Sequence, residues 1–113
     1  MDLNLIKTIS GNVYGDFTDT VKTWNEFIYH VAGLKGVTIL GTLKHDFTGN
    51  GFSGMILLGE SHAAIHTFPE HGMAWIELAT CGDPSALDEF MKYKAPTIGG
   101  LYVRDLFDTK ERG

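Results

Sequence analysis

The run Met73-Ala74-Trp75-Ile76-Glu77-Leu78-Ala79-Thr80 constrains the fold more than any other part of the chain. It has the length of a β-strand, and both of its parities are apolar. One parity carries Ala74, Ile76 and Leu78; the other carries Met73, Trp75 and Ala79, with Glu77 its only charge. Such a strand belongs inside a sheet covered on both faces. With 113 residues the chain is long enough for one domain, spanning 1–113, and one modest core. Helices can hide one sheet face. The other then needs a partner surface, and a two-fold homodimer is the commonest closed solution.

The remaining elements follow in order. The first ten residues, to Ser10, read as a loosely placed lead-in or an edge strand. Between Asp16 and Gly36 the spacing is helical: Val21, Trp24, Ile28 and Val31 form one apolar stripe with Phe27 beside it. Asp16, Thr18 and Asp19 are candidate N-caps, and Gly33 or Gly36 supplies the stop. From Gly36 the texture turns to β. Val37 to Leu43 and Phe52 to Leu58 are strand-like runs joined through Thr48-Gly49-Asn50-Gly51, where Asn-Gly signals a turn. A third strand covers His62 to Thr67, and Phe68-Pro69-Glu70-His71-Gly72 turns the chain into Met73 to Thr80. Asp83 and Pro84 open a second helix as N-cap and first residue; Leu87, Phe90 and Met91 form its apolar face, and Ala95-Pro96 ends it. Leu101 to Leu106 reads as a final strand before a polar tail. The pattern predicts an α+β fold: a single two-layer domain, its antiparallel sheet of four to five strands carrying two helices on one face.

Composition narrows the class of function. Nine Lys and Arg against fourteen Asp and Glu give a net charge of −5, which offers no general attraction to nucleic acid or anionic lipid. One cysteine excludes an internal disulfide. No stretch approaches the ~18 apolar residues of a membrane span, and Met1-Asp2-Leu3-Asn4 does not open a signal peptide. A cytoplasmic protein with no nucleic-acid or membrane partner is expected.

Several constellations carry little chemistry. His62 and His66 share a strand face but stand about 13 Å apart, too far for one metal ion. No Cys-x-x-Cys or His-Glu-x-x-His spacing supports a metal either. Gly49, Gly51 and Gly54 around Ser53 resemble a phosphate loop in glycine content only, without its lysine or helix start, so a hairpin turn and a tightly packed strand glycine are expected. Cys81 reads either as an inert thiol or, just before a helix start, as a reactive one. The informative run is Gly59-Glu60-Ser61-His62-Ala63-Ala64-Ile65-His66-Thr67-Phe68-Pro69-Glu70. Its serine hydroxyl has two readings: a nucleophile served by a histidine, or a group that attacks its own preceding carbonyl in an N-to-O acyl shift.

That run, followed by Thr80-Cys81-Gly82-Asp83, resembles the short bacterial and archaeal S-adenosylmethionine decarboxylases. The likeness extends through Gly36-Val37-Thr38, His45 to Phe47, Gly51-Phe52-Ser53-Gly54 and the closing Glu111-Arg112-Gly113. The resemblance implies a precursor that cuts itself at Glu60-Ser61 into 1–60 (β chain) and 61–113 (α chain). Ser61 would end as a pyruvoyl group, the cofactor that forms a Schiff base with the substrate and takes up the electron pair released with carbon dioxide. By the same resemblance His66 is the base in processing, Ser53 supports processing, and Cys81 is the proton donor in turnover. Glu70 would bind the ribose hydroxyls and Phe47 the adenine of S-adenosylmethionine, whose decarboxylated form donates aminopropyl groups in spermidine biosynthesis. No metal is implied, and a homodimer is.

Three residues depart from the family pattern. Phe68 stands where tryptophan is usual, His71 where tyrosine is, and Asp46 where a basic residue is common. They surround the substrate pocket in the family and bear on substrate identity rather than self-cleavage. Two alternatives therefore stay open: a pyruvoyl decarboxylase of arginine or ornithine, and a non-catalytic binding or regulatory partner that never processes.

Overall fold

A computed structural model describes residues 6–59, 61–83, 85–93 and 104–112, with the backbone alone at 6 and 104–112. The strands are β1 (Ile6–Tyr14), β2 (Ile39–Asp46), β3 (Phe52–Leu58), β4 (Ser61–Phe68), β5 (Met73–Thr80) and β6 (Arg104–Arg112). The helices are α1 (Thr20–Ala32) and α2 (Ser85–Phe90). One antiparallel sheet takes the order β2-β3-β4-β5-β1-β6. The α+β class, the antiparallel sheet and the helix layer are as expected, and where about four to five strands were expected the described residues form six.

The lead-in accounts for much of the difference. β1 lies between β5 and β6, so it is an interior strand and not an edge. Its centre, Ser10-Gly11-Asn12, has the composition of a turn, and nothing local argues for a strand there. Pairing on both sides holds it, with Ile9 and Val13 buried in the core. The polar tail is also strand: β6 runs to Arg112 against β1. Residues 101–103, Pro84 and Ala95-Pro96, where other expectations fall, lie outside the described residues.

α1 starts where Asp19 caps it, its carboxylate accepting from the Lys22 N–H at 3.0 Å. Thr23, Phe27 and Val31 are the buried residues, with Trp24 and Ile28 packed beside them. Val21 is 63% exposed, a correction to the expected stripe. It lies about 120° around the helix from Phe27, the centre of the buried face. α2 lies beside α1, with the Phe27 ring edge-on to Phe90 at 5.9 Å and to Tyr93 at 5.7 Å. His30 Nε2 donates to the Phe90 carbonyl at 2.8 Å and ties the two helices.

Trp24 seats α1 on the sheet by lying flat over Gly54. A Cβ at Gly54 would stand 2.7 Å from Trp24 Cη2, so this glycine makes room for the indole. Gly51 turns the β2–β3 hairpin with φ +84°, and its Cβ position is 2.8 Å from the Thr67 carbonyl oxygen. The helix-side core is then Ile9 and Val13, Phe52, Ile56 and Leu58, Ala63 and Ile65, and Ala74, Ile76 and Leu78. The opposite face has no helix over it among the described residues. It leaves Leu43, Met55 and Leu57 75%, 49% and 55% exposed. No described helix is long and apolar enough to cross a membrane.

Candidate active site

Strand register builds the site on that open face. His45 opposes Ser53, Ser53 opposes His66 and His66 opposes Trp75, so four strands contribute one transverse row. Within it Ser53 Oγ and His66 Nδ1 are 2.7 Å apart, and the His66 ring leans on Trp75 at 6.0 Å. A depression of about 180 Å³ lies beside the pair, lined by Leu43, His45, Met55 and Ala64 among others. Thr67 Oγ1 accepts from the buried Phe52 N–H at 2.9 Å and pins the start of β3, which keeps Ser53 and His66 in register.

A second group sits at the other end of the sheet. Ser61 is the half-buried first residue of β4 and pairs with Thr80, the last of β5. Cys81, a half-buried thiol, comes next in the chain, one residue beyond the cross-strand partner of Ser61. Ser61 Oγ lies 3.3 Å from His62 Nδ1, and His62 Nε2 lies 3.4 Å from Glu77 Oε1 on β5. In the sequence His62 reads only as a candidate metal ligand and Glu77 only as a lone charge, and neither receives a role beside Ser61. The available signal was Glu77, the only charge on its face of β5.

Ser61 and His66 are not brought together in one chain. Five residues of extended strand separate their Cα atoms by roughly 16 Å, too far for the two side chains to touch. Glu70 lies at the His66 end, in a single 3-10 turn (Pro69–His71) closed by the left-handed Gly72, with its carboxylate 3.9 Å from His71 Nε2. Phe47 is 51% exposed at the same end, its ring edge-on to His45 at 4.8 Å. Asp46 pairs with Lys44 at 3.0 Å, and Phe68 is exposed. Glu60 lies outside the described residues.

Fold and site together define a class: a small helix-backed antiparallel sheet whose uncovered face presents a Ser–His pair, and whose rim presents a second serine beside a thiol. The sequence profile of the S-adenosylmethionine decarboxylase family matches residues 11–103, and the chain belongs to that family. It is 36% identical over 88 residues to an S-adenosylmethionine decarboxylase proenzyme of Aquifex aeolicus, covering 75% of this chain and 65% of that one. With the proenzyme of Symbiobacterium thermophilum it shares 37% over 86 residues, covering 74% and 63%. These matches span less than two thirds of either relative. The crystal structure of the Aquifex aeolicus adenosylmethionine decarboxylase superposes with a TM-score of 0.73 at 27% identity, covering 99% of this chain and 96% of that one.

Proposed function

We propose that the chain is a self-processing decarboxylase of S-adenosylmethionine, cut between Glu60 and Ser61 and completed by a second copy of itself. In processing, the Ser61 hydroxyl attacks the Glu60 carbonyl, and the amide becomes an ester. Loss of the Ser61 α-proton then expels the Glu60 carboxylate, and hydrolysis of the remaining dehydroalanine leaves a pyruvoyl group and ammonia. Residue 61 suits that group: it begins a strand, is half-buried, and has a thiol one residue beyond its cross-strand partner. A pyruvoyl group there supplies the carbonyl that accepts the electron pair as carbon dioxide leaves. In this reading Cys81 returns a proton to the substrate carbon. Phe47 and Glu70 offer an exposed ring for adenine and a carboxylate for the ribose hydroxyls.

The observation that carries this reading is the division of the site between two ends of one sheet. His66 and Ser53 cannot reach their own Ser61. A two-fold partner docked through the uncovered face lays the His66 end of one chain over the Ser61–Cys81 end of the other. The exposed Leu43, Met55 and Leu57 would line that contact. The test is the intact mass of the purified protein, followed by decarboxylation assays on S-adenosylmethionine, arginine and ornithine. Fragments 1–60 and 61–113, the second beginning with pyruvoyl, and release of carbon dioxide from S-adenosylmethionine alone are expected. An uncut chain that is fully active would overturn the proposal.

A further inference from the structure

We infer that His62, oriented by Glu77, is the base that moves the Ser61 hydroxyl proton in the first step of self-processing. This rests on the reading of Ser61 as the processing serine and adds the group that activates it. Ser61 Oγ, the His62 ring and the Glu77 carboxylate form a continuous chain, with contacts of 3.3 and 3.4 Å. Register explains how. His62 opposes Ala79 across the β4–β5 ladder, so Glu77 is its diagonal neighbour on the same face, within reach of a long side chain.

The proton arrangement follows from the chemistry of the groups. A carboxylate only accepts, so His62 Nε2 must donate to Glu77. In the neutral ring Nδ1 is then bare, and the Ser61 hydroxyl must donate to it. Serine, ring and carboxylate in this order are the arrangement that makes a hydroxyl nucleophilic. A cross-strand ion pair needs only Glu77 and one ring nitrogen. It does not require the other nitrogen to face the hydroxyl. The lone charge on the open face of β5 thereby acquires a task, where a carboxylate on an apolar surface otherwise only costs free energy.

The step balances without another reactant. The Ser61 proton passes to His62 Nδ1 as the Oγ–C bond forms on the Glu60 carbonyl carbon. The C–N bond then breaks, and the same proton passes from Nδ1 to the Ser61 nitrogen, leaving an ester and a free amine. Abstraction of the α-proton is a later and separate event, for which the family resemblance offers His66, here that of the second copy. The two histidines therefore fail at different points.

Processing is followed by pulse-labelling the full chain in cell-free synthesis, with hydroxylamine used to cut any ester at 60–61. His62→Ala should leave precursor that resists hydroxylamine and is processed roughly 10²-fold more slowly, the lower range for loss of a general base. Added imidazole should restore part of the rate, which a structural role for the ring does not predict. Glu77→Gln should slow ester formation while leaving the urea midpoint within the range of ordinary surface substitutions. It carries the test alone if His62→Ala does not fold. Wild-type processing rates in both variants, or an ester accumulating in His62→Ala, would overturn the assignment. A wild-type chain that is never cut, or a Ser61→Ala chain that is, would instead overturn the underlying reading of Ser61.

Discussion

At the scale of single residues, the proposed reading gives the making of the prosthetic group and its use to different side chains. Cys81 follows the cross-strand partner of Ser61, and the proposal gives it to turnover, so Cys81→Ala should still be cut yet lose decarboxylation by about 10²-fold or more, read as carbon dioxide release per cut chain. His66→Ala should stop later than the His62 variant, with hydroxylamine-sensitive ester accumulating on gels. Normal turnover by Cys81→Ala would move the proton donor elsewhere. Gly54 shows how packing limits change nearby: a methyl group there meets the Trp24 indole, 2.7 Å from Cη2 and 2.8 Å from Cε3. Gly54→Ala should cost about 1–3 kcal/mol in urea denaturation. The contact between Ser53 and His66 was not legible from their spacing of thirteen residues. The register of β3 against β4 creates it, and no local pattern of residues records that register.

At the scale of elements, two helix devices set measurable stabilities. Asp19→Ala removes the cap of α1 and should lower the unfolding free energy by ~1 kcal/mol, checked by the urea midpoint. His30 joins α1 to α2. Burial pushes its ring below the ordinary 6.5, against the Phe90 carbonyl and Glu89, which pull the other way. The neutral ring is the folded form. Above 6.5 both states are neutral and its contribution is whole; as pH falls below 6.5 the unfolded chain takes up the proton first, and stability drops until the folded ring titrates. His30→Gln should flatten the dependence of the urea midpoint on pH in that window. Asp16 and Asp83, held below the ordinary 3.8 by hydrogen bonds from Thr18 and Ser85, lose their contribution only in more acidic solution. α1 and β3 to β5 were legible because their periodicity is strong and their turns carry glycine or proline. β1 was not, because its pairing partners are far away in sequence and the Ser10-Gly11-Asn12 at its centre does not favour extension.

At the scale of the whole molecule, the uncovered sheet face decides the outcome. Light scattering at micromolar concentration should give twice the mass of one protomer, and Trp75→Glu should weaken association by placing a charge on the contact face. Coexpression is more discriminating. Ser61→Ala still supplies His66 and Ser53, while His66→Ala still supplies Ser61 and Cys81. Mixed dimers should therefore cut the His66→Ala chain and regain activity that neither variant has alone. Failure of the mixture, with both chains shown to associate, would mean that processing is completed within one chain.

The order of α1 and β2 to β5, the two apolar parities of Met73–Thr80 and the Glu60-Ser61 motif could all be read from the amino-acid sequence. Periodicity, turn residues and motif identity are local properties of the chain. Only tertiary structure decided that the lead-in is an interior strand and that Ser53 meets His66. It also decided that Ser61 meets a His62 held against Glu77, and stands opposite Thr80 next to Cys81, rather than meeting its own His66. Those outcomes depend on which residues strand register places opposite one another across the sheet. A shift of one residue would reverse every face, and no local pattern records that choice.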